Sequence, residues 1–183
     1  MIFNFRIVSD GAENFKREIK IDAQATFLDL KNAICDSVGY DKTMMDSFFI
    51  CDDGWEKRKE ITYEDMDLDN DQEAWLMDDA VLEDFIDDEG QKLLYLFDYM
   101  TDRSMFMEMT EMIPERTLKD PVCTLSLGNA PKQVVDLEEF DAQVEAKINK
   151  AIADDDLGEE FYGSDQYDMD EFEAEGYGEM EEL

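Results

Sequence analysis

Alternating apolar positions at the start of the chain predict a β-hairpin. Every second residue over positions 3–7 is apolar, and the alternation resumes at Ile19 and Ile21 after the turn signal Asp10-Gly11. A period of two is typical of strands that bury one face. We therefore expect two antiparallel strands joined by a rather long loop.

A capped helix is predicted directly after the hairpin. Thr26 can cap its N-terminus, with Asp29 three residues later in a variant of the capping box, and Gly39 is placed to end it. Its apolar face comprises Phe27, Leu30, Ile34 and Val38. A short apolar run at 48–50 then predicts a buried strand. The order strand, strand, helix, strand is that of a β-grasp half-sheet.

The middle of the chain has weaker patterns and then a clear one. Residues 56–80 are charged and only weakly periodic, which indicates a loop or a distorted strand. Apolar residues at 81–86 predict a short helix that ends at Gly90. The clearest hairpin of the chain follows, with strands over 93–99 and 103–113 and a turn between them.

The second strand of this hairpin is rich in methionine. Alternation puts Met105, Met107 and Met109 on one face, and the other face holds Phe106, Glu108, Thr110 and Met112. A methionine-rich face is typical of adaptable core packing. The alternative is a partner surface that can re-pack.

One more strand and one more helix complete the predicted body. Apolar residues at 122–125 indicate the strand, and Asp136 with Glu139 opens the helix. Its apolar face, which we expect to close the body, holds Leu137, Phe140, Val144, Ile148 and Ile152. The predicted fold class is α+β, a mixed β-sheet with a β-grasp-like N-terminal ββαβ half packed against helices. This domain covers residues 1–153, and an acidic C-terminal tail covers 154–183.

Charge restricts both the chemistry and the partners of the chain. It has 50 Asp and Glu against 16 Lys and Arg, a net charge of −34, and no histidine. The tail contains fourteen of the acids and no basic residue, which leaves −20 on the body. Such a charge repels nucleic acids and anionic membranes. The lack of imidazole excludes Ser-His-Asp and Cys-His nucleophiles and His-ligated zinc.

The acidic tail carries aromatic side chains between its acids and is predicted to be disordered when free. Rings can fill base-sized or apolar pockets while carboxylates stand where phosphates would, which is nucleic-acid mimicry in physical terms. The predicted partner-binding residues are Phe161, Tyr162, Asp165, Tyr167, Asp168, Asp170, Glu171, Phe172 and Tyr177. The alternative is a tail that only keeps the protein soluble.

Four aspartates have the spacing of a calcium loop. Asp67, Asp69, Asp71 and Asp78 occupy positions 1, 3, 5 and 12 of a twelve-residue window. Position 6, where the sharp turn needs glycine, is Gln72. We therefore predict a solvated acidic loop, with no metal site and no cofactor.

Asp98 and the cysteines are the remaining candidates for chemistry. Asp98 ends an apolar strand, and we expect it to accept N–H groups of the 100–102 turn; the alternative is general acid–base work with a neighbouring acid. Cys35, Cys51 and Cys123 form no C-x-x-C pair and lie beside apolar residues. They predict reduced, buried thiols in a cytoplasmic protein.

Several blocks of the sequence resemble a known family. They are the helix segment 26–34 (TFLDLKNAI), Gly39-Tyr40, Phe48, the block 95–99 (YLFDY) and, more loosely, 121–123 (PVC) with Ala130-Pro131. The chain resembles the plasmid pRiA ORF-three-like family, whose members are often labelled as transposon-passenger "TnpR" proteins and have no established function. The resemblance spans about residues 1–131 and implies an α+β fold.

Departures from the family pattern concern its polar residues. Lys31 and Met44 stand where the family usually has histidines, and Met100 replaces a glycine. The family's second block also has a Trp and a His that fall here among residues 103–106. We therefore expect the polar site that these residues would form in relatives to be absent. Nothing in the chain resembles a serine or tyrosine recombinase site.

Together these patterns predict a non-enzymatic interaction protein. Its acidic surface and tail would dock on a basic protein or complex, such as a transcription, translation or recombination machine, by charge mimicry. It would bind no nucleic acid directly and no membrane. The alternatives are a protein that responds to divalent cations through the 67–78 loop, and a cryptic enzyme that uses Asp98.

Overall fold

The computed structural model describes residues 1–65 and 74–154. Its eight strands form one sheet in the order β5-β4-β3-β6-β7-β1-β2-β8. They are β1 (Ile2–Val8), β2 (Lys16–Asp22), β3 (Ser47–Cys51), β4 (Lys57–Thr62), β5 (Ala74–Leu76), β6 (Lys92–Asp98), β7 (Arg103–Ile113) and β8 (Val122–Leu127). Neighbours are antiparallel except β4 and β5, so the sheet is mixed and the α+β class is confirmed.

The N-terminal half has the predicted strand, strand, helix, strand order. Helix α1 (Phe27–Val38) begins with the expected capping box, in which Asp29 N donates to Thr26 Oγ1 at 3.2 Å and Asp29 Oδ2 accepts from Thr26 N at 3.0 Å. It ends at Gly39, whose φ of 75° is left-handed. Two hairpins, β1–β2 and β6–β7, pair side by side through β7 and β1.

The core lies between α1 and one face of the sheet. Phe5 on β1, Ile19 on β2, Phe48 on β3 and Tyr95 on β6 are all fully buried there. Met105, Met107 and Met109 of β7 are also fully buried in this core, as their alternation predicts.

A β-bulge changes which face the end of β7 presents. Phe5 pairs with Met109 but Asn4 pairs with Glu111, so Thr110 is the extra residue. The insertion returns Met112 to the methionine face, where it packs against the core. The sequence placed Met112 on the opposite face, because strict alternation cannot anticipate an inserted residue.

The segment 56–80 contains two strands, and the first of them is distorted, which is one of the two predicted alternatives. Strand β4 pairs with β3 through a bulge at Arg58, and β5 pairs parallel to β4. Only Ile61 and Thr62 of β4 are buried, which explains why its sequence lacks an apolar period. The short helix predicted at 81–86 is a single 3-10 turn, Leu82–Asp84.

Helix α2 (Leu137–Asp154) is the predicted second helix. Contacts divide the chain into one unit of Met1–Phe140 and a second unit that starts at Asp141, so most of α2 belongs to the second unit. Val144, Ile148 and Ile152 on its apolar face are exposed by 37%, 53% and 67%. That this face closes the body stays a prediction. No helix in the described ranges is long and apolar enough to cross a bilayer.

Candidate functional site

A row of exposed carboxylates follows β5. We call it the acidic segment, and its seven acids are Asp78, Asp79, Glu83, Asp84, Asp87, Asp88 and Glu89. All seven are exposed, and no Lys or Arg occurs between them in the sequence. Among the described residues, none of the seven forms an ion pair within 4.0 Å.

Apolar residues before and between the acids fix the acidic segment to the core. Met77, Ala80, Leu82 and Ile86 are buried and belong to the core that contains α1. Their spacing leaves the acids on the outside.

Main-chain hydrogen bonds also hold the acidic segment in place. Leu82 N donates to Ala25 O, and Glu83 N donates to Ala23 O, both at 2.9 Å. Phe27 N donates back to Ala80 O at 2.9 Å. Because the main chain of the acidic segment is already fixed, the segment would lose little conformational entropy on binding a partner. The acidic segment was not predicted from the sequence, although it contains seven acids and no basic residue within twelve positions.

A second polar cluster is buried beneath α1. Lys31 is fully buried, and its Nζ lies 3.1 Å from Asp46 Oδ1 and 3.1 Å from Met44 O. Nζ also stands 3.2 Å from the centroid of the Tyr63 ring, a cation–π contact. Tyr95 Oη donates to Asp46 Oδ2 at 2.6 Å. The opposite charge, the Tyr63 ring and the Tyr95 hydroxyl offset part of the cost of burying the two charged side chains.

This buried cluster includes a position at which the chain departs from the family pattern. Lys31 stands where the family usually has a histidine, and we expected the polar site that such residues would form in relatives to be absent; that expectation stays a prediction. The structure puts a buried ion pair between Lys31 and Asp46 at that position. Burial raises the pKa of Asp46, opposed by the hydrogen bond from Tyr95 and the charge of Lys31. Burial likewise raises the pKa of Tyr95.

The buried cluster has the contacts of a structural element. Both charged side chains are almost completely inaccessible to solvent. The Cys35 thiol, 3.6 Å from Tyr95 Oη, has a pKa raised by burial, which disfavours the reactive thiolate. The arrangement therefore links α1 to the start of β3 and to β6.

Asp98 has the turn-binding role predicted for it. Its Oδ1 accepts from Met100 N at 3.0 Å, and its Oδ2 accepts from Thr101 Oγ1 at 2.5 Å and from Arg103 Nη2 at 2.7 Å. Burial alone would raise the pKa of Asp98, but the hydrogen bonds from Thr101 and Arg103 outweigh it and lower the pKa. Arg103 continues to the carbonyls of Lys132 and Gln133, so the turn also secures the segment after β8.

The cysteines and the calcium-like loop complete the comparison with the sequence. Cys35 and Cys51 are buried free thiols as predicted, but Cys123 is exposed because it lies on the edge strand β8. Asp67, Asp69 and Asp71 lie outside the described residues. Within the described ranges, no group of three or more acidic or cysteine side chains is placed to hold a metal ion.

The predicted partner-binding residues of the tail also lie outside the described residues. Phe161, Tyr162, Asp165, Tyr167, Asp168, Asp170, Glu171, Phe172 and Tyr177 therefore remain predictions. So does the boundary between body and tail at residue 153.

Comparison with known proteins decides the family. The family model for the plasmid pRiA4b ORF-3-like protein matches residues 2–176. The chain belongs to the plasmid pRiA4b ORF-3-like family. The match extends well beyond residue 131, where we expected the resemblance to end, and includes α2 and most of the acidic tail. No curated protein matches the chain.

A solved structure shares the fold of this pRiA4b ORF-3-like protein. It is a protein of unknown function from Methanosarcina mazei Go1, with 17% sequence identity and a TM-score of 0.60. The similarity covers 79% of this chain and 80% of that one. At this identity the likeness is one of fold alone.

Proposed function

We propose that this family member is a non-enzymatic interaction protein that docks on a basic protein surface. The acidic segment supplies fixed carboxylates, and the acidic tail supplies further carboxylates with aromatic side chains between them. Such a surface fits the phosphate-binding face of a protein that handles nucleic acid, as in transcription, translation or recombination, by charge mimicry.

The exposed carboxylates of the acidic segment, which form no ion pair with any described residue, are the observation that carries this proposal. Seven like charges close in sequence repel one another, and that repulsion opposes folding. Main-chain hydrogen bonds and buried side chains nevertheless hold them in one arrangement. A basic partner would relieve the repulsion between the carboxylates. Solubility alone would not require the carboxylates to be held in one arrangement.

Apolar side chains near the acidic tail would add short-range binding energy. The exposed face of α2 carries Val144, Ile148 and Ile152, and the tail that follows carries five aromatic candidates. Aromatic and aliphatic anchors usually supply most of the free energy of binding at an interface, while charges supply steering and specificity.

Two variants with equal charge test the role of the acidic segment. The segment variant carries Asp78→Asn, Asp79→Asn, Asp87→Asn and Asp88→Asn. The dispersed variant carries Asp10→Asn, Glu13→Gln, Asp53→Asn and Glu111→Gln, four exposed acids for which no side-chain ion pair is seen within the described residues. Both remove four negative charges with nearly isosteric amides.

Capture from a nuclease-treated native lysate, followed by titration of the captured partner, gives the readout. We expect the segment variant to weaken binding about tenfold or more and the dispersed variant to weaken it much less. Affinity should fall as salt rises from about 50 to about 500 mM, because the Debye length then shrinks roughly threefold. Equal losses in the two variants would contradict a specific role for the acidic segment.

The tail is tested in the full-length chain. Replacing Phe161, Tyr162, Tyr167, Phe172 and Tyr177 by Ser leaves its charge unchanged. Under the proposal, the same partner dissociates faster from this variant. Unchanged affinity would mean that the tail serves only solubility and that the acidic segment is the docking surface.

A further inference from the structure

Strand β8 is an open edge of the sheet. It is the last strand in the order, and within the described residues it pairs only with β2. An edge strand presents a row of unpaired N–H and C=O groups that another strand can complete. Val122 and Leu127, at the two ends of β8, are exposed by 46% and 51%.

The sequence of β8 lacks two of the usual protections of an edge, which are charges and prolines within the strand. Residues 121–131 contain no charged residue, although 36% of the whole chain is charged. Natural edges are usually blocked by charges, by prolines or by outward bulges. Here prolines stand only outside the strand, at 121 and 131. Strand β8 does contain a bulge, because Glu18 of β2 pairs with Leu125 and Ile19 pairs with Cys123, so Thr124 is an extra residue.

Charge around β8 also differs from that of the rest of the protein. Residues 1–22 and 113–132, which contain β1, β2 and β8, hold seven basic and six acidic residues. All of the net negative charge therefore comes from the remaining residues. A second copy of this acidic chain can approach here without strong local repulsion, whereas a basic partner is drawn to other parts of the surface.

Contacts of Arg17 hold the edge in a fixed position. Its guanidinium is almost fully buried and donates to Leu127 O at 2.6 Å and Gly128 O at 3.1 Å. Its Nε donates to Ser37 O at 3.2 Å, which ties the end of β8 to the last turn of α1. The edge is thus preorganised for strand addition.

We propose that two copies of the chain pair through β8 to form a symmetric dimer. A twofold axis relates identical edges in antiparallel fashion, so each copy adds its sheet to the other as one continuous sheet. The bulge at Thr124 puts Val122 and Leu127 on the same face of the sheet. Pairing on either side of the bulge therefore puts Val122 of one copy opposite Leu127 of the second copy. The interface is formed by main-chain hydrogen bonds and the uncharged side chains of β8.

Charge substitutions at the two ends of β8 test this pairing. Val122→Lys with Leu127→Lys puts lysines opposite lysines, and Val122→Asp with Leu127→Asp does the same with carboxylates. Like charges directly opposite destabilise a strand pair. We expect sedimentation equilibrium of the wild type to give twice the 21.3 kDa chain mass. Each double variant should raise the dimer dissociation constant by about tenfold or more.

Mixing the two double variants is the decisive arm. Lysine then faces aspartate at both ends, so an equimolar mixture should recover the dimer that each variant alone forms only weakly. Val8→Lys with Val134→Lys, two exposed positions outside β8, is the control and should leave the dimer unchanged. A wild type that stays monomeric, a dimer that the β8 variants leave intact, or a mixture that fails to associate would each overturn the proposal.

Hydrogen exchange covers the case in which a β8 variant does not fold. In the wild type, amides of 122–127 should become more protected as protein concentration rises through the dimer range, and equal protection at all concentrations would overturn the proposal.

The effect of salt distinguishes this inference from the proposed function. Higher salt screens repulsion between two acidic copies and should strengthen the dimer, whereas it should weaken binding to a basic partner.

Discussion

Lys31 and Asp46 form a buried ion pair whose two members depend on each other. Removing a charge from water costs several kcal/mol, and here each charge is compensated by the other and by nearby groups. Asp46 also accepts from Tyr95, and Lys31 also contacts the Tyr63 ring. Loss of one partner would therefore leave the other charge buried without a counter-charge.

Asp46→Asn is expected to destabilise the protein by about 3–5 kcal/mol, because it leaves the Lys31 ammonium uncompensated. Adding Lys31→Met should recover most of this loss, since the double variant has no buried charge and the new amide oxygen at position 46 can still accept from Tyr95. Urea denaturation of the wild type and both variants measures the difference. If the double variant is no more stable than the single one, the buried charge is not the cause.

The lowered pKa of Asp98 predicts the direction in which the free energy of unfolding changes with pH. Its folded pKa is lowered, so its ionised form stabilises the fold above the unfolded pKa of about 3.9, and this contribution is lost as pH falls through the folded pKa. Asp98→Asn should cost about 2 kcal/mol at pH 7, because it turns an amide N–H₂ toward Arg103, and the deficit should shrink below about pH 4.

Asp102→Asn in the same turn is the matched control for Asp98. Asp102 is exposed and lies 3.9 Å from Lys57, and an asparagine tolerates its φ of 51°. Urea unfolding at several pH values should show little change for this variant. An equal, pH-independent loss in both variants would mean that the turn, and not the Asp98 charge, is responsible.

At the scale of elements, the sequence predicts those with a clear period and a terminal signal. The capping box at Thr26 and the Gly39 C-cap fixed α1, and alternation fixed the two hairpins. The segment that contains β4 was predicted only as a loop or a distorted strand, because the exposed half of β4, from Lys57 to Lys59, carries charge and follows no apolar period. Its place in the sheet depends on pairing with β3 and β5, which a local pattern does not contain.

The candidate site was predictable only in part for the same reason. The turn-binding role of Asp98 follows from local sequence, because its partners lie within five residues. The Lys31–Asp46 pair joins residues fifteen apart, and Tyr95 lies a further 49 from Asp46. Only the tertiary fold brings these three together.

Two glycines with left-handed backbones distinguish the free-energy cost of backbone strain from that of a steric clash with an added Cβ. At Gly128, with φ of 64°, a Cβ would lie 2.6 Å from Asn14 O, so Gly128→Ala should cost about 2–3 kcal/mol and loosen the end of β8. At Gly39, with φ of 75°, nothing lies within 4 Å, so Gly39→Ala should cost about 1 kcal/mol. Thermal unfolding compares the two; equal losses would show that backbone conformation alone matters.

At the scale of the whole molecule, net charge opposes folding. A charge of −34 on 183 residues creates repulsion that salt screens, so the melting temperature should rise with salt. If the acidic segment is held together for binding, its local repulsion should cost stability. Removing charge there should therefore stabilise the protein while it weakens docking, a trade-off common at functional sites.

The segment and dispersed variants test this trade-off, since both remove four charges. In low salt the segment variant should melt about 2–4 °C above the dispersed variant, because its four charges lie close to one another. In about 0.5 M salt, where charges are screened over a few ångströms, the difference in melting temperature between the two variants should nearly disappear. Calorimetry at both salt concentrations gives the comparison. A segment variant that melts no higher than the dispersed one would mean that the fold spaces these carboxylates too widely to repel, and they would then be ordinary solvated acids.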